Sequence, residues 1–236
     1  LNQFNPKTKT FKQYFKKDGL PDNVIRSLLI EPSGVLWVGT NSGICKFDNR
    51  PGSIENFSQD DGLQSNEFNF KSALALKNGN LLFGGTNGFN MILPERIRKN
   101  TSVPKIVITD FFLFNKPANA YVAGSPLKKD ISTSNEIILS HNQNFLTFFF
   151  SAMDFTMPEK NKFSYMLENF DDDWIYSGSK REATYTNIHP GNYIFRVKGS
   201  NNDGIWNEEV VHLKITIFPP WYLRWYFKVI YALLFL

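Results

Sequence analysis

Cysteine is nearly absent: Cys45 stands alone in 236 residues, so the chain can form no internal disulfide and no zinc site made of several thiolates. Its apolar surroundings, Gly43-Ile44-Cys45-Lys46-Phe47, read as a strand, which makes it a small core residue rather than a nucleophile. A lone thiol is compatible with an oxidising compartment without requiring one. Histidine is scarce as well. His141, His189 and His212 are far apart, and their spacing supports neither a metal triad nor a Ser-His-Asp arrangement. Charge of neither sign dominates: residues 1–103 hold 13 Lys/Arg against 9 Asp/Glu, and residues 104–236 hold 13 against 13. With a net charge of +4 and no dense basic stripe, the sequence gives no electrostatic case for nucleic acid as a partner. No secretory-signal pattern opens the chain at Leu1-Asn2-Gln3-Phe4, and such a signal is expected upstream.

Aromatic residues are what the chain has in excess. They make up 16% of it, with 23 Phe, 9 Tyr and 5 Trp, and beside many Gly and Asn turns they suit half-buried strands. The first hundred residues also repeat. Asp18-Gly19-Leu20-Pro21-Asp22-Asn23 is answered 43 residues later by Asp61-Gly62-Leu63-Gln64-Ser65-Asn66. Leu36-Trp37-Val38-Gly39-Thr40-Asn41-Ser42-Gly43 is answered by Leu82-Phe83-Gly84-Gly85-Thr86-Asn87-Gly88. A period in the low forties with several short strands per unit is the signature of a β-propeller blade. One unit divides into strands 24–30, 35–40, 44–47 and 53–57, with Asn49-Arg50-Pro51-Gly52 as one of its turns. Phe4 to Tyr14 matches only the end of a unit. Two blades and a fraction cannot close a ring, so a larger propeller is expected beyond this piece.

The repeat stops at Pro94, and 94–104 read as a linker. Residues 105–220 then show seven strands, at 106–114, 136–139, 144–152, 163–168, 184–186, 193–199 and 210–217. Val211, Leu213, Ile215 and Ile217 alternate with polar residues, as in a half-buried strand. Asn144–Phe150 is apolar on both faces and belongs in the centre of a sheet. The spacing predicts an immunoglobulin- or fibronectin-like sandwich, with 118–135 as a long loop. After Pro219-Pro220, the cluster Trp221, Tyr222, Arg224, Trp225 and Lys228 has the composition of a membrane–water interface, and 229–236 are wholly apolar. The segment 221–236 reads as the start of a transmembrane helix; a short buried amphipathic helix is the alternative.

The Asp-Gly-Leu-Pro-Asp-Asn and Leu-Trp-Val-Gly-Thr-Asn-Ser-Gly elements resemble the repeats of two-component regulator propellers. Residues 105–220 resemble the triple-tyrosine domain that follows such propellers. The landmarks are Phe163-Ser164-Tyr165-Met166-Leu167-Glu168-Asn169-Phe170, Trp174, Ala183-Thr184-Tyr185-Thr186-Asn187, Gly191-Asn192-Tyr193 and Ser200-Asn201-Asn202-Asp203-Gly204-Ile205-Trp206. Tyr165, Tyr185 and Tyr193 would be its three tyrosines, with Trp174 and Trp206 as further structural markers. The resemblance covers roughly residues 4–236. It implies the periplasmic sensor region of a hybrid two-component histidine kinase of the Bacteroidetes, anchored in the inner membrane and responsive to glycan-derived oligosaccharides. It further implies a homodimer in the full-length protein, no cofactor, and a kinase beyond residue 236 rather than enzymatic activity in this chain.

Candidate chemistry is thin. Asp171-Asp172-Asp173 lacks the pattern of a calcium loop and reads as a solvated turn. The Gly84–Gly88 loop lacks the Lys and helix of a phosphate cradle and reads as a hairpin turn. No paired carboxylates support the competing reading, a carbohydrate-active propeller enzyme with an accessory sandwich. If the first strand of each unit is innermost, Asn23, Arg26, Asn66, Glu67 and Asn69 lie near a central mouth, where amides and charges suit sugar hydroxyls. Asn23 and Asn66 have a second reading, as side chains that hold their own turns.

Overall fold

A computed structural model of the chain describes residues 1–48, 53–122, 124–223, 227 and 233. They fall into two compact units, Leu1–Arg98 and Lys99–Leu236, built from strands, short turns and single turns of 3-10 helix. The division lies inside the segment 94–104 read as a linker.

The first unit holds a hairpin of β1 (Asn2–Asn5) and β2 (Thr10–Gln13). A four-stranded antiparallel sheet follows, of β3 (Ile25–Ile30), β4 (Leu36–Thr40), β5 (Gly43–Asp48) and β6 (Ser53–Phe57). Three antiparallel strands complete it: β7 (Phe68–Ala75), β8 (Leu81–Gly85) and β9 (Gly88–Ile92). The repeat therefore gives one sheet of four strands and one of three, where two sheets of four were expected. After Ile92 the chain turns into a 3-10 segment over Pro94–Arg96, because proline has no N–H to give a ladder. The turn 49–52 lies outside the described residues.

The Asp-Gly-Leu-x-x-Asn motif owes its recurrence to one hydrogen-bonded turn built twice. Asp18 accepts from Phe15 N at 2.9 Å and Asp61 from Ser58 N at 2.7 Å. Gly19 and Gly62 end each turn in the left-handed region, at φ 109° and 90°, which is open to glycine without strain. Leu20 is then directed into a core with Tyr14, Val38, Cys45 and Phe47. A second core joins the two larger sheets: Val35, Trp37 and Ile44 of one meet Phe68, Leu81 and Phe83 of the other. Each such side chain is worth about 1.5–3 kcal/mol in burial, so the sheets stabilise one another. Cys45 is fully buried, and burial pushes its thiol up to about 12, which keeps it protonated and inert.

The second unit is two packed sheets. One orders β10 (Ile106–Leu113), β11 (Lys116–Pro117), β13 (Leu146–Ala152) and β16 (Glu182–Tyr185) as β11-β10-β13-β16. The other contains β12 (Glu136–Ser140), β14 (Lys162–Glu168), β15 (Ile175–Gly178), β17 (Gly191–Ser200) and β18 (Val211–Phe218). Its order is β12-β18-β17-β14-β15, with β12 parallel to β18. As the apolar run 144–150 requires, β13 is central. Phe148 of β13 stacks on Phe195 of β17 at 4.2 Å between ring centres, 15° from parallel, and this pair joins the sheets through the middle of the core. Two strands escaped the sequence reading, β11 and β15. The first has only two residues, and the second is an edge strand whose Ile175 and Tyr176 are exposed. The loop 118–135 closes part of this core with Leu127 and Ile131.

Among the described residues no helix is long and apolar enough to cross a membrane. Arg224, Trp225 and Lys228, with most of the segment read as the start of a transmembrane helix, lie outside the described residues. Trp221 and Tyr222 form a 3-10 turn with Leu223 and are exposed.

Gly43 carries a prediction. Its φ is 107°, and a β-carbon there would lie 2.1 Å from the Phe57 carbonyl oxygen. Gly34 has a similar φ of 88° but open space around it. Left-handed strain costs about 1–3 kcal/mol at either site, so Gly43→Ala should lower the first unit's calorimetric melting temperature well beyond Gly34→Ala. Equal losses would mean that the Gly43 turn relaxes freely.

Candidate functional site

The first strands of the two larger sheets, β3 and β7, lie against each other, and both are bulged. The β3–β4 register shifts between Ile25 and Ser27, which takes Arg26 out of the ladder. The β7–β8 register shifts between Phe68 and Ala73, which frees Asn69 to Ser72. Bulges re-aim side chains. Here both help to shape an open groove of about 400 Å³ lined by Ile25, Arg26, Ser27 and Leu28 from β3 and Phe70, Lys71 and Ala73 from β7. Lys71 sits at φ 57°, an uncommon conformation for a residue with a side chain.

The polar groups of the groove are few and differently held. Arg26 donates from Nε to Asn41 Oδ1 at 2.6 Å, which fixes the plane of its guanidinium. Lys71 Nζ lies 5.4 Å from the Phe70 ring centre. Ser27 is 7% exposed, and its hydroxyl has no hydrogen-bond partner. Leu28 and Phe70 are exposed apolar walls.

Of the five residues proposed from sequence, only Arg26 lines this groove. Asn23 Oδ1 accepts from Lys16 N at 2.8 Å, and Asn66 Oδ1 accepts from Gln59 N at 2.7 Å. Both carboxamides thus serve the repeated turn, the second of the two readings open for them. Asn69 Nδ2 donates to the Gly85 carbonyl at 3.1 Å. Glu67 is exposed, and its carbonyl accepts from Thr86 N and Gln64 Nε2. Ser27 and Lys71 were not singled out from sequence, because a bulge that redirects one residue leaves no trace in an alternation pattern.

In the second unit the tyrosines are structural members of the core. Tyr185 donates to Asp171 Oδ2 at 2.6 Å, and the same oxygen accepts from Leu167 N at 2.7 Å. The acidic run read as a solvated turn therefore contributes one carboxylate to the fold, while Asp172 and Asp173 are exposed. Tyr193 donates to the His189 carbonyl at 2.9 Å, closing a tight corner four residues long. Tyr165 meets Tyr185 edge to face at 6.1 Å. Lys198 lies 4.4 Å from the Trp174 ring centre and 5.9 Å from that of Trp206. The residues on either side of Trp206 tie down the entering chain: Asn201 Nδ2 donates to the carbonyls of Asn100 and Ser102, and Asn207 Nδ2 to that of Pro104.

Residues 19–42 match the two component regulator propeller family, and residues 154–218 match the Y_Y_Y domain family. The latter range contains all three tyrosines. Over 228 residues the chain is 33% identical to histidine kinase P4 of Formosa agariphila. It is a propeller and Y_Y_Y segment homologous to a histidine kinase. This alignment takes in 96% of the chain and 17% of that kinase. The fold matches the extracellular domain of a hybrid two-component system from B. thetaiotaomicron with a TM-score of 0.76 at 24% identity, over 92% of this chain and 29% of that one. The chain thus spans less than a third of either relative.

The Y_Y_Y domain yields a pH prediction. Burial, and after it the bond to Asp171, raises the Tyr185 phenol above its ordinary value, and burial raises Tyr165 as well. An unfolded tyrosine ionises near pH 10. Stability from these phenols is therefore complete below about pH 10 and falls as pH rises beyond it, because the unfolded chain releases its protons first. Tyr185→Phe should cost about 1–2 kcal/mol at neutral pH and flatten the decline in melting temperature above about pH 10. Parallel declines in variant and parent would refute the assignment.

Proposed function

We propose that the chain belongs to the extracytoplasmic sensor region of a membrane-bound hybrid two-component histidine kinase, with the β3–β7 groove as part of its ligand site. The ligand is a glycan-derived oligosaccharide bound by the propeller. The protein acts as a homodimer, and the Y_Y_Y domain relays the signal to an inner-membrane helix beyond Pro219-Pro220. The observation that carries this reading is the groove itself, on a chain homologous to a histidine kinase. It combines apolar walls with two cationic donors, one of them held in place by Asn41, which is the chemistry a sugar needs for its faces and its oxygens.

The competing reading, a carbohydrate-active propeller enzyme, needs two carboxyl groups about 5–9.5 Å apart across a scissile bond. Among the seven lining residues there is no carboxylate, which favours reception over hydrolysis. The relay rests on stiffness. Paired prolines give β18 a restricted exit, where a Gly/Ser joint would dissipate a displacement.

Calorimetry of the intact sensor region against a panel of glycan oligosaccharides tests the site. Binding of at least one oligosaccharide, weakened about tenfold or more by Arg26→Ala in a normally folded variant, is expected; a drop of that size equals about 1.4 kcal/mol. Unchanged affinity in Arg26→Ala would remove the groove from the binding site.

A further inference from the structure

The polar chemistry of the β3–β7 groove is one-sided. Its two charged side chains, Arg26 and Lys71, are both cations, and each stands on a bulge of its own strand. Two like charges brought to one groove repel each other unless an anion joins them. Among the described residues, neither of them takes part in an ion pair. Asn41 holds Arg26 through a neutral amide oxygen, which orients the guanidinium without cancelling its charge. Its planar fork is suited to the paired oxygens of a carboxylate or sulfate.

Ser27 lines the same groove, but its buried hydroxyl turns toward Gly39, where a β-carbon would stand 2.5 Å from it and 3.2 Å from the Phe83 ring, so the groove's polar chemistry rests on the two cations. The exposed Phe70 ring beside Lys71 offers a flat apolar face of the kind on which a sugar ring packs.

We infer that the groove between β3 and β7 is an anion-selective subsite, taking the carboxylate or sulfate of an acidic oligosaccharide between Arg26 and Lys71. This rests on the receptor reading above and narrows it to a charge class. Neutral glycans would occupy the groove poorly, because they leave two cations uncompensated.

The test uses three probes on the intact sensor region: a trigalacturonate, a sulfated galactose disaccharide, and neutral galactotriose. Each is titrated calorimetrically at about 20 and 200 mM NaCl, salt concentrations that change the screening of exposed charges severalfold. At least one acidic probe should bind tenfold or more tighter than the neutral one, and the advantage should shrink at the higher salt. The acidic arm that binds distinguishes a carboxylate from a sulfate source. Arg26→Gln with Lys71→Gln should bring the acidic-to-neutral ratio near one. Thermal unfolding checks that the double variant is folded. Tighter binding of neutral galactotriose, or a charge preference that survives the double variant, overturns the anion assignment while leaving the receptor reading intact. Failure of all three probes to bind overturns the assignment. Failure of the wider neutral and acidic oligosaccharide panel as well would sink the receptor reading.

Discussion

The first unit depends on a buried face that neither of its larger sheets completes alone. Trp37 and Ile44 from one sheet and Phe68, Leu81 and Phe83 from the other make one core. A three- or four-stranded sheet exposed to water on both faces has little to set against its conformational entropy. Sharing that face forces β3 against β7, and the groove follows from the contact. The repeated turn keeps the arrangement in register: Asp18 and Asp61 cap it, Asn23 and Asn66 hold it, and Gly43 N donates to the Asn66 carbonyl at 2.7 Å, linking the two repeats.

The second unit solves the same problem by doubling its sheets. Its core is built from phenylalanine, and the Phe148–Phe195 stack spans the two layers. Stacked aromatic pairs add about 0.5–1.5 kcal/mol beyond the area they bury. Around this core the tyrosines act as hinge pins with polar ends, Tyr185 on Asp171 and Tyr193 on the His189 carbonyl. Asn201 and Asn207 anchor residues 100–104 to the same unit. The chain entering the second unit is thus tied to its frame.

Much of the architecture was legible in the sequence because it follows from periodicity. The 43-residue repeat exposed the paired turns, and the alternation of Leu213, Ile215 and Ile217 fixed the buried phase of β18. The run Asn144–Phe150 announced a central strand. What stayed hidden was local. Nothing in a pattern of apolar residues tells that Asp171 caps a tyrosine, or that Lys71 is lifted from its ladder to line the same groove as Arg26. The loss of a fourth strand after β9 is explained by Pro94 only once the 3-10 turn is seen. For the same reason Asn23 and Asn66, attractive as sugar ligands by residue type, proved to be engaged in backbone geometry.

Amide hydrogen exchange of the intact sensor region, with and without a bound oligosaccharide, tests the central claim most directly. If the ligand seats between the first strands of the two sheets, added protection should concentrate in residues 24–30 and 68–75. Protection confined to the Y_Y_Y domain, with these strands unchanged, would contradict it.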